Sequence, residues 1–332
     1  MKTQMYKRDK YLASILLAVM ITIAGNAQTA EKMIEKSYAI SKGFTLEIDN
    51  EYGETNIVNW DKDELSVVIT ITTEAGSQSK AEKMLERISV DIDERSSLVS
   101  FDTEIENMNA SGTKDMMIIY DVKTPSYINA TLEQSYGSMY IQELSGYTEL
   151  EVKYGSLNAN ALYYQDDEKT NALDLAYGEA DLAYVASLSA EVKYSKLSID
   201  ESETLILESA YSKYYLGNIV SLDLESKYDK LDVVQLSGSL ILESAYTNVN
   251  IDNISEDFSL LKLDMKYGNF KGNLASPPSF EIDAFVDFGS IDIPEGNLHR
   301  EKDGLSEEVI GTVGSGDGSV TAELKYGNLT LR

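Results

Sequence analysis

Three copies of one short motif decide how this chain folds: Leu205-Ile-Leu-Glu-Ser-Ala-Tyr211, Leu222-Asp-Leu-Glu-Ser-Lys-Tyr228 and Leu240-Ile-Leu-Glu-Ser-Ala-Tyr246. In each copy, leucines stand six and four positions before a tyrosine, and apolar residues recur three and five positions after it. A bend residue such as Ser212 or Asp229 follows the tyrosine. This pattern is typical of two short strands joined by a corner, with one face kept on the inside throughout.

The motif belongs to an array of looser copies, each built around one aromatic residue. The aromatic residues are Tyr136, Tyr154, Tyr177, Tyr194, Tyr211, Tyr228, Tyr246, Tyr267, Phe288 and Tyr326. From 177 to 246 they are 17, 17, 17 and 18 residues apart, and the last step of 38 residues is expected to contain a loop. Repeats of this length are typical of solenoids. We therefore expect an all-β fold, a right-handed parallel β-solenoid (β-helix) with rungs of about 17–21 residues. Each rung would have two strands, a corner and a return turn.

The region before the array has strand patterns and one helical pattern. Phe44–Val58 is a first loose copy of the repeat. Ser79 and Glu82 have the capping-box spacing, and the apolar residues that follow predict a short helix over 79–88. Further strands are predicted at Leu65–Ile71, Ile88–Ile92, Leu98–Thr103 and Met116–Val122, with a loop at 107–114. We expect residues 28–125 to form a small strand-plus-helix cap and residues 126–332 to form the solenoid.

The first 27 residues have the features of a signal peptide. A basic segment is followed by the apolar run Tyr11–Ile23, which is too short to span a membrane comfortably, and small residues precede a cleavage site before Gln28. An uncleaved anchor is the alternative. The chain is expected to be exported to the periplasm, the outer surface or the extracellular space, with no stable membrane insertion after cleavage.

The charge of the chain excludes several classes of function. It has 28 basic and 56 acidic residues, a net charge of −28, which argues against nucleic acid as a partner. It has no cysteine, so disulfides and zinc-thiolate sites are excluded. Because His299 is the single histidine of the chain, a histidine-rich metal site is excluded and no Ser/His/Asp set is expected. The glycine-rich run Gly314–Gly318 lacks the Lys-Ser/Thr of a phosphate loop and is expected to be a turn.

An acidic residue stands three positions before almost every repeat aromatic, on the predicted outer face. We refer to these residues as the acidic column. One interpretation is a solvated face that keeps the sheets soluble. The other is a calcium site, since calcium binds several carboxylate oxygens. The candidate metal ligands are Glu191, Glu208, Glu225 and Glu243. Lysine and small residues alternate one position before the aromatic, so that either each repeat makes one coil or two repeats make one larger coil.

The repeat tyrosines are expected to point inward at the corner, because the alternation groups them with leucine, valine and isoleucine. Tyrosines that break the repeat are the better surface candidates, and a tyrosine platform on the surface would suit a carbohydrate or a peptide. These tyrosines are Tyr140, Tyr147, Tyr163, Tyr164, Tyr184 and Tyr215.

The opening stretch Phe44–Val58, the repeats, and the ending Lys325-Tyr-Gly-Asn-Leu-Thr-Leu331 together resemble one family, the bacterial secreted putative-adhesin β-solenoid family, a domain of unknown function. The resemblance implies an exported, non-enzymatic surface or envelope protein that presents an acidic, repetitive face to a glycan or protein partner. It supplies no site residues, and no cofactor is expected apart from calcium. One alternative is a polysaccharide lyase or hydrolase that uses acidic residues, with or without calcium. Another is an assembly component that binds a sheet edge, which we expect at Asn328–Arg332.

Overall fold

The computed structural model describes residues 17–18, 23–24, 27–106, 116–166 and 168–332. Over these residues the protein is nearly all β, with one short helix and a large sheet system rich in parallel pairs. The chain divides into two compact units, the first ending at Gly146 and the second beginning at Tyr147. Most of the predicted signal peptide and the predicted loop at 107–114 lie outside the described residues.

The described residues of the first unit form eleven strands and the helix. They are β1 (Leu17–Ala18), β2 (Ile23–Ala24), β3 (Ala27–Ala39), β4 (Thr45–Glu51), β5 (Gly53–Asn59), β6 (Glu64–Ala75), α1 (Gln78–Leu85), β7 (Ile88–Glu94), β8 (Leu98–Ile105), β9 (Met116–Thr124), β10 (Asn129–Ser135) and β11 (Ser138–Leu144). The predicted strands in this region are confirmed. Strand β4 pairs in parallel with β8 and β10, and β5 pairs in parallel with β9 and β11, so the first loose copy of the repeat lies in the middle of this unit.

The helix is real, but it begins and ends earlier than the capping-box pattern indicated. Ser77 is the N-cap residue and makes no side-chain capping bond, while Glu82 instead accepts a bond from Gln78. Ile88 already belongs to β7. Only Ala81 of the helix is buried, and its carbonyl accepts a 2.8 Å hydrogen bond from the Thr73 hydroxyl. None of the described residues forms a helix long and apolar enough to cross a membrane.

The second unit is a stack of repeats paired in parallel. Its strands are β12 (Thr148–Lys153), β13 (Ser156–Leu162), β14 (Asn171–Ala176), β15 (Glu179–Lys193), β16 (Lys196–Ala210), β17 (Lys213–Lys227), β18 (Lys230–Ala245), β19 (Asn248–Ile254), β20 (Leu260–Lys266), β21 (Phe270–Leu274), β22 (Phe280–Asp287), β23 (Ser290–Asp292), β24 (Asn297–Asp303), β25 (Ser306–Val313), β26 (Gly318–Lys325) and β27 (Asn328–Leu331). Each central strand pairs with the next at an offset of 17 residues, as in Lys196↔Lys213 and Lys213↔Lys230. Each repeat therefore stacks directly on its neighbour, as the sequence spacing predicted.

The predicted return turn is replaced by a kink in these central repeats. Strands β15 to β18 run without interruption from one tyrosine corner to the next, and only small gaps in register, as at Asp200 and Glu203, mark the change of direction. A kinked strand can keep its ladder hydrogen bonds on both sides of the bend, which leaves few buried backbone groups unpaired.

The interior is filled from both sides of each corner. Around Tyr228, the side chains of Leu222, Leu224, Leu231 and Val233 are all buried. These alternating apolar residues stack on their counterparts in the repeats above and below, so the core is a continuous apolar column through the unit.

In the central repeats the residue after the aromatic is polar and buried, and Ser195, Ser212, Asp229 and Thr247 form a polar column. Each of their side chains accepts a hydrogen bond from the backbone N–H at the same position of the preceding repeat. The pairs are Gly178 N to Ser195 Oγ (3.1 Å), Ser195 N to Ser212 Oγ (3.3 Å), Ser212 N to Asp229 Oδ1 (2.6 Å) and Asp229 N to Thr247 Oγ1 (3.3 Å). These bonds satisfy amide groups that the corner takes out of the regular ladder.

The last repeats are not stacked in sequence order. Strand β26 pairs in parallel with both β20 and β22, and β27 pairs with both β21 and β23. The predicted exposed edge at Asn328–Arg332 is therefore wrong, because Asn328–Leu331 is an inner strand. The predicted loop before Tyr326 is instead an antiparallel hairpin, β24–β25, which pairs with β22. Glu307 of this hairpin is buried and is bound by Arg300, by Lys302 at 3.2 Å and by the backbone N–H of Ile291.

Candidate binding surface

The repeat aromatics form a stacked ladder on the outside of the protein. In the second unit the order of stacking is Tyr154, Tyr177, Tyr194, Tyr211, Tyr228, Tyr246, Tyr267, Tyr326 and Phe288. Ring centroids of neighbours are between 4.7 and 5.1 Å apart, and the planes are nearly parallel. A separate pair, Tyr52 and Tyr136, stacks at 5.0 Å in the first unit. We call the stack of the second unit the tyrosine ladder.

The prediction that these tyrosines point inward is wrong. Tyr211 is 51% exposed, and the other ladder residues are similarly exposed. The reason is the backbone: every ladder residue has a positive φ, 56° at Tyr211 and 61° at Tyr228. This left-handed conformation interrupts the strand alternation, so the aromatic side chain turns outward and the next residue turns inward.

Left-handed backbone is unfavourable for a bulky side chain, by about 1–2 kcal/mol per residue. Glycine or asparagine would relieve this strain. The second unit nevertheless places an aromatic at each such corner, and the stacking of neighbouring rings offsets part of the strain, since an aromatic pair contributes about 0.5–1.5 kcal/mol. Because the ring faces are covered by their neighbours, the ladder presents ring edges to solvent.

Lysines lie along the ladder despite the acidity of the chain. Two positions after the aromatic, Lys196, Lys213 and Lys230 are directly paired neighbours. The Lys196 ammonium lies 3.7 Å from Asp181, and that of Lys230 lies 2.5 Å from Asp232. An open groove of about 710 Å3 runs beside the rings of four consecutive repeats. It is lined by Tyr154, Tyr177, Tyr194, Tyr211, Glu179, Lys196, Lys213 and the small residues between them.

The off-repeat tyrosines divide into two groups. Tyr163 and Tyr215 are exposed, as expected for surface residues, and the other four are half-buried. Tyr163 lies 5.4 Å from Tyr184, and Tyr147 lies 5.7 Å from Tyr164, measured between ring centroids. These pairs are tilted or edge-on, so they do not extend the tyrosine ladder.

The acidic column is in direct register, as the spacing predicted. The paired residues run Glu151, Asp174, Glu191, Glu208, Glu225, Glu243, Asp264 and Glu323. Burial first, and then the charges of Glu151 and Glu191, raise the pKa of Asp174 above its ordinary value, against the opposing effect of Lys153 and Lys193. The column is therefore under like-charge repulsion.

Basic side chains relieve part of this repulsion. Lys153 is paired with Glu151 and Lys193 with Glu191. One position before the aromatic, Lys193 and Lys227 are separated by Ala210, because successive repeats pair directly. Lysines therefore lie on alternate repeats beside the column. Direct pairing of successive repeats is the arrangement expected if each repeat makes one coil.

Four members of the acidic column are the candidate metal ligands Glu191, Glu208, Glu225 and Glu243. They line one cleft of about 350 Å3. Among the residues that the structure describes, no group of three or more His, Cys, Asp or Glu side chains is arranged to hold a metal ion. A calcium role for the four glutamates is thus a hypothesis that needs a direct test.

We expect the combined replacement of Glu208, Glu225 and Glu243 by Gln to leave thermal stability unchanged or to raise it. Stacked carboxylates about 4.8 Å apart repel one another by somewhat under about 1 kcal/mol per pair in water, and glutamine removes that repulsion. The measurement is a thermal melt with millimolar calcium and then with chelator. A matched control is Glu104→Gln, on an exposed position of β8. A calcium-dependent rise in midpoint that the triple variant lacks would establish a metal site instead.

Comparisons with known proteins found solved structures with low sequence identity and low TM-scores. No family model matches the chain, and no curated protein matches it. A structure named a putative lipid binding protein from Parabacteroides distasonis ATCC 8503 is 10% identical, with a TM-score of 0.39, and the match covers 76% of this chain and 98% of that one. A structure named a putative adhesin from Bacteroides fragilis NCTC 9343 is 8% identical, with a TM-score of 0.36, covering 91% of this chain and 97% of that one. A further putative adhesin, from Parabacteroides merdae ATCC 43184, is 10% identical, with a TM-score of 0.33, covering 90% of this chain and 96% of that one. At these scores the function of this chain has to be argued from its own geometry.

Proposed function

We propose that this is an exported, non-enzymatic surface protein of the putative-adhesin kind, which binds an extended glycan along the tyrosine ladder, beside the acidic column. The single observation that carries the proposal is the ladder itself. Aromatic residues occupy strained left-handed corners in every repeat of the second unit and remain about half exposed. Strain of this kind persists where the surrounding structure enforces it, and it is concentrated at functional sites.

A glycan is favoured over a protein partner by what the ladder presents. The apolar ring faces are covered by stacking, so the large apolar anchors that dominate protein interfaces are not offered. What repeats along the ladder is a tyrosine edge with a phenol hydroxyl, about every 4.8 Å, with lysines and carboxylates alongside. A linear polymer with a hydroxyl group in each repeat is suited to such a row. No arrangement in the described residues favours the lyase or hydrolase alternative.

The proposal also covers the handedness of the solenoid and the location of the protein in the cell. The chain repeatedly passes from one strand to a parallel partner, and such connections are right-handed in most proteins, so we infer a right-handed β-solenoid. The basic and apolar segments of residues 1–27 support export to the periplasm or beyond. Fractionation of cells that produce the full chain, with N-terminal sequencing of the product, tests cleavage before Gln28.

The ladder is tested by replacing Tyr177, Tyr194 and Tyr211 together with phenylalanine. Phe288 is a natural ladder member, so phenyl rings fit the stack and the fold should be kept. We expect binding to arrayed linear glycans to weaken by roughly tenfold or more, because each lost hydrogen bond contributes about 0.5–1.5 kcal/mol.

The matched control replaces the off-ladder residues Tyr163 and Tyr215 by phenylalanine, which should leave binding unchanged. Equal binding by the ladder variant and the wild-type protein would contradict the proposal. Binding confined to protein ligands would replace the glycan by a protein partner.

A further inference from the structure

The first unit contains a polar cleft at one end of three neighbouring parallel strands. Strand β5 lies between β9 and β11 and is parallel to both. Parallel neighbours end at the same edge of the sheet, so the segments after them come together. The cleft has a volume of about 520 Å3 and is lined by residues 59–63, 125–127 and 142–143. Its size is within the ordinary range for small-molecule sites, about 300–1,000 Å3.

Asn59 fixes the floor of this cleft by binding both neighbouring strands. Its side-chain nitrogen donates to the Thr124 carbonyl at 3.3 Å, and its side-chain oxygen accepts from the Glu143 N–H at 3.0 Å. Its own backbone N–H donates to Gln142 Oε1 at 3.0 Å. The backbone at the positions of Gln142 and Glu143 is therefore held in place before any ligand arrives.

Two aromatic side chains stand in the cleft, and each is oriented by a hydrogen bond. Trp60 Nε1 donates to the Glu64 carbonyl at 2.7 Å, and the Tyr127 hydroxyl donates to Asp63 Oδ1 at 2.8 Å. Both rings are partly exposed. The Lys62 ammonium lies 4.3 Å from the centroid of the Trp60 ring, on a flexible side chain that a ligand can displace.

The mixture of groups decides the class of ligand. Carboxylates accept hydrogen bonds, an amide NH2 and an ammonium donate them, and the two rings offer apolar surface. A sugar ring has hydroxyls that both donate and accept, together with an apolar face of C–H groups. Three carboxylates and one ammonium line the cleft, so an anionic ligand is disfavoured.

We propose that this cleft binds one ring of a neutral saccharide. Trp60 and Tyr127 contact its apolar face, and Gln142 and Glu143 bind its hydroxyls. The site belongs to the first unit, so it is separate from the tyrosine ladder and does not depend on the function proposed for it.

The protein carries its own probe, because Trp60 is the single tryptophan of the chain. The full chain is titrated with glucose, mannose, galactose, N-acetylglucosamine and their linear oligosaccharides, while tryptophan fluorescence is excited selectively over tyrosine. At least one neutral saccharide should change the emission saturably, with a dissociation constant on the order of 1 mM or tighter. Glucuronate should bind more weakly than the matching neutral sugar.

Variants separate this site from other effects. Glu143→Ala should weaken binding roughly fivefold or more with an unchanged melting midpoint, whereas Glu104→Ala, on exposed β8, should bind as the wild-type protein does. The ladder variant with three phenylalanines should keep the Trp60 response in full, so failure of one site is distinguishable from failure of the other. The proposal is overturned if none of the neutral saccharides changes the emission, if Glu143→Ala responds as the wild-type does, or if glucuronate binds best.

Discussion

Replacing Asp229 by alanine is expected to lower the free energy of unfolding by about 3 kcal/mol, because several buried donors lose their acceptor at once. The Asp229 carboxylate accepts from Ser212 N at 2.6 Å, from Ser226 Oγ at 2.7 Å and from Lys227 N at 3.2 Å. Asp229 itself is buried at a corner of the central repeats. Chemical denaturation of the wild-type and variant proteins measures the difference.

The chain supplies the matched control for this experiment. Ser195 and Ser212 occupy the same position in the two preceding repeats, and their hydroxyls accept the corresponding backbone N–H. Asp229→Ser should therefore recover more than half of the loss seen with alanine. If the serine and alanine variants were equally destabilised, the polar column would not be the reason for the stability of the corner.

Replacing Tyr211 by alanine is expected to lower the free energy of unfolding by about 1–3 kcal/mol. The ring stacks on Tyr194 at 5.0 Å and on Tyr228 at 4.9 Å, and each aromatic pair contributes about 0.5–1.5 kcal/mol. A buried aromatic would lose about 3–5 kcal/mol on the same truncation. Denaturant unfolding therefore distinguishes a half-exposed ladder from a core position.

A glycine variant isolates the backbone contribution at the same position. Because φ of Tyr211 is 56°, alanine is strained there and glycine is not. We expect Tyr211→Gly to be at least as stable as Tyr211→Ala, the reverse of the order found inside regular strands. Phenylalanine should be close to the wild-type protein, since the ladder already contains Phe288. A glycine variant clearly less stable than the alanine variant would contradict the left-handed corner.

The register of the repeats could be predicted because the sequence repeats itself almost literally. Once Glu208, Glu225 and Glu243 occupy equivalent positions, parallel stacking must place them side by side, and the structure does so. The direction of the tyrosines could not be predicted in the same way. A bulky residue with positive φ is an outlier that a sequence pattern does not reveal. Leu224 and Ser226 are both buried, so continuing the period-two alternation by one more step places Tyr228 inside as well. The left-handed backbone at Tyr228 breaks that alternation.

Of the candidate sites, one could be predicted from the repeats and one could not. The acidic column follows from spacing alone, whereas the cleft around Trp60 does not, because it joins residues from positions 59 to 143 that only the sheet brings together. A single tryptophan beside Asn59 and Asp61 has no periodicity to mark it. The hydrogen bonds that Asn59 makes with Thr124, Gln142 and Glu143 form only because the ends of three strands lie at the same edge of the sheet. No local sequence pattern predicts that arrangement.

The insertion of β26 and β27 between earlier strands has a consequence for how the chain folds as it emerges. Repeats up to Tyr267 can be added one after another, each on a finished neighbour, as in other linear arrays. Strands β22 and β23 cannot, because their parallel partners are residues 318–331, which are made later. Strands β22 and β23 can therefore complete their parallel pairing only after residues 318–331 have been made. While the chain is being synthesised, the growing stack would keep an unpaired sheet edge until those last residues were added.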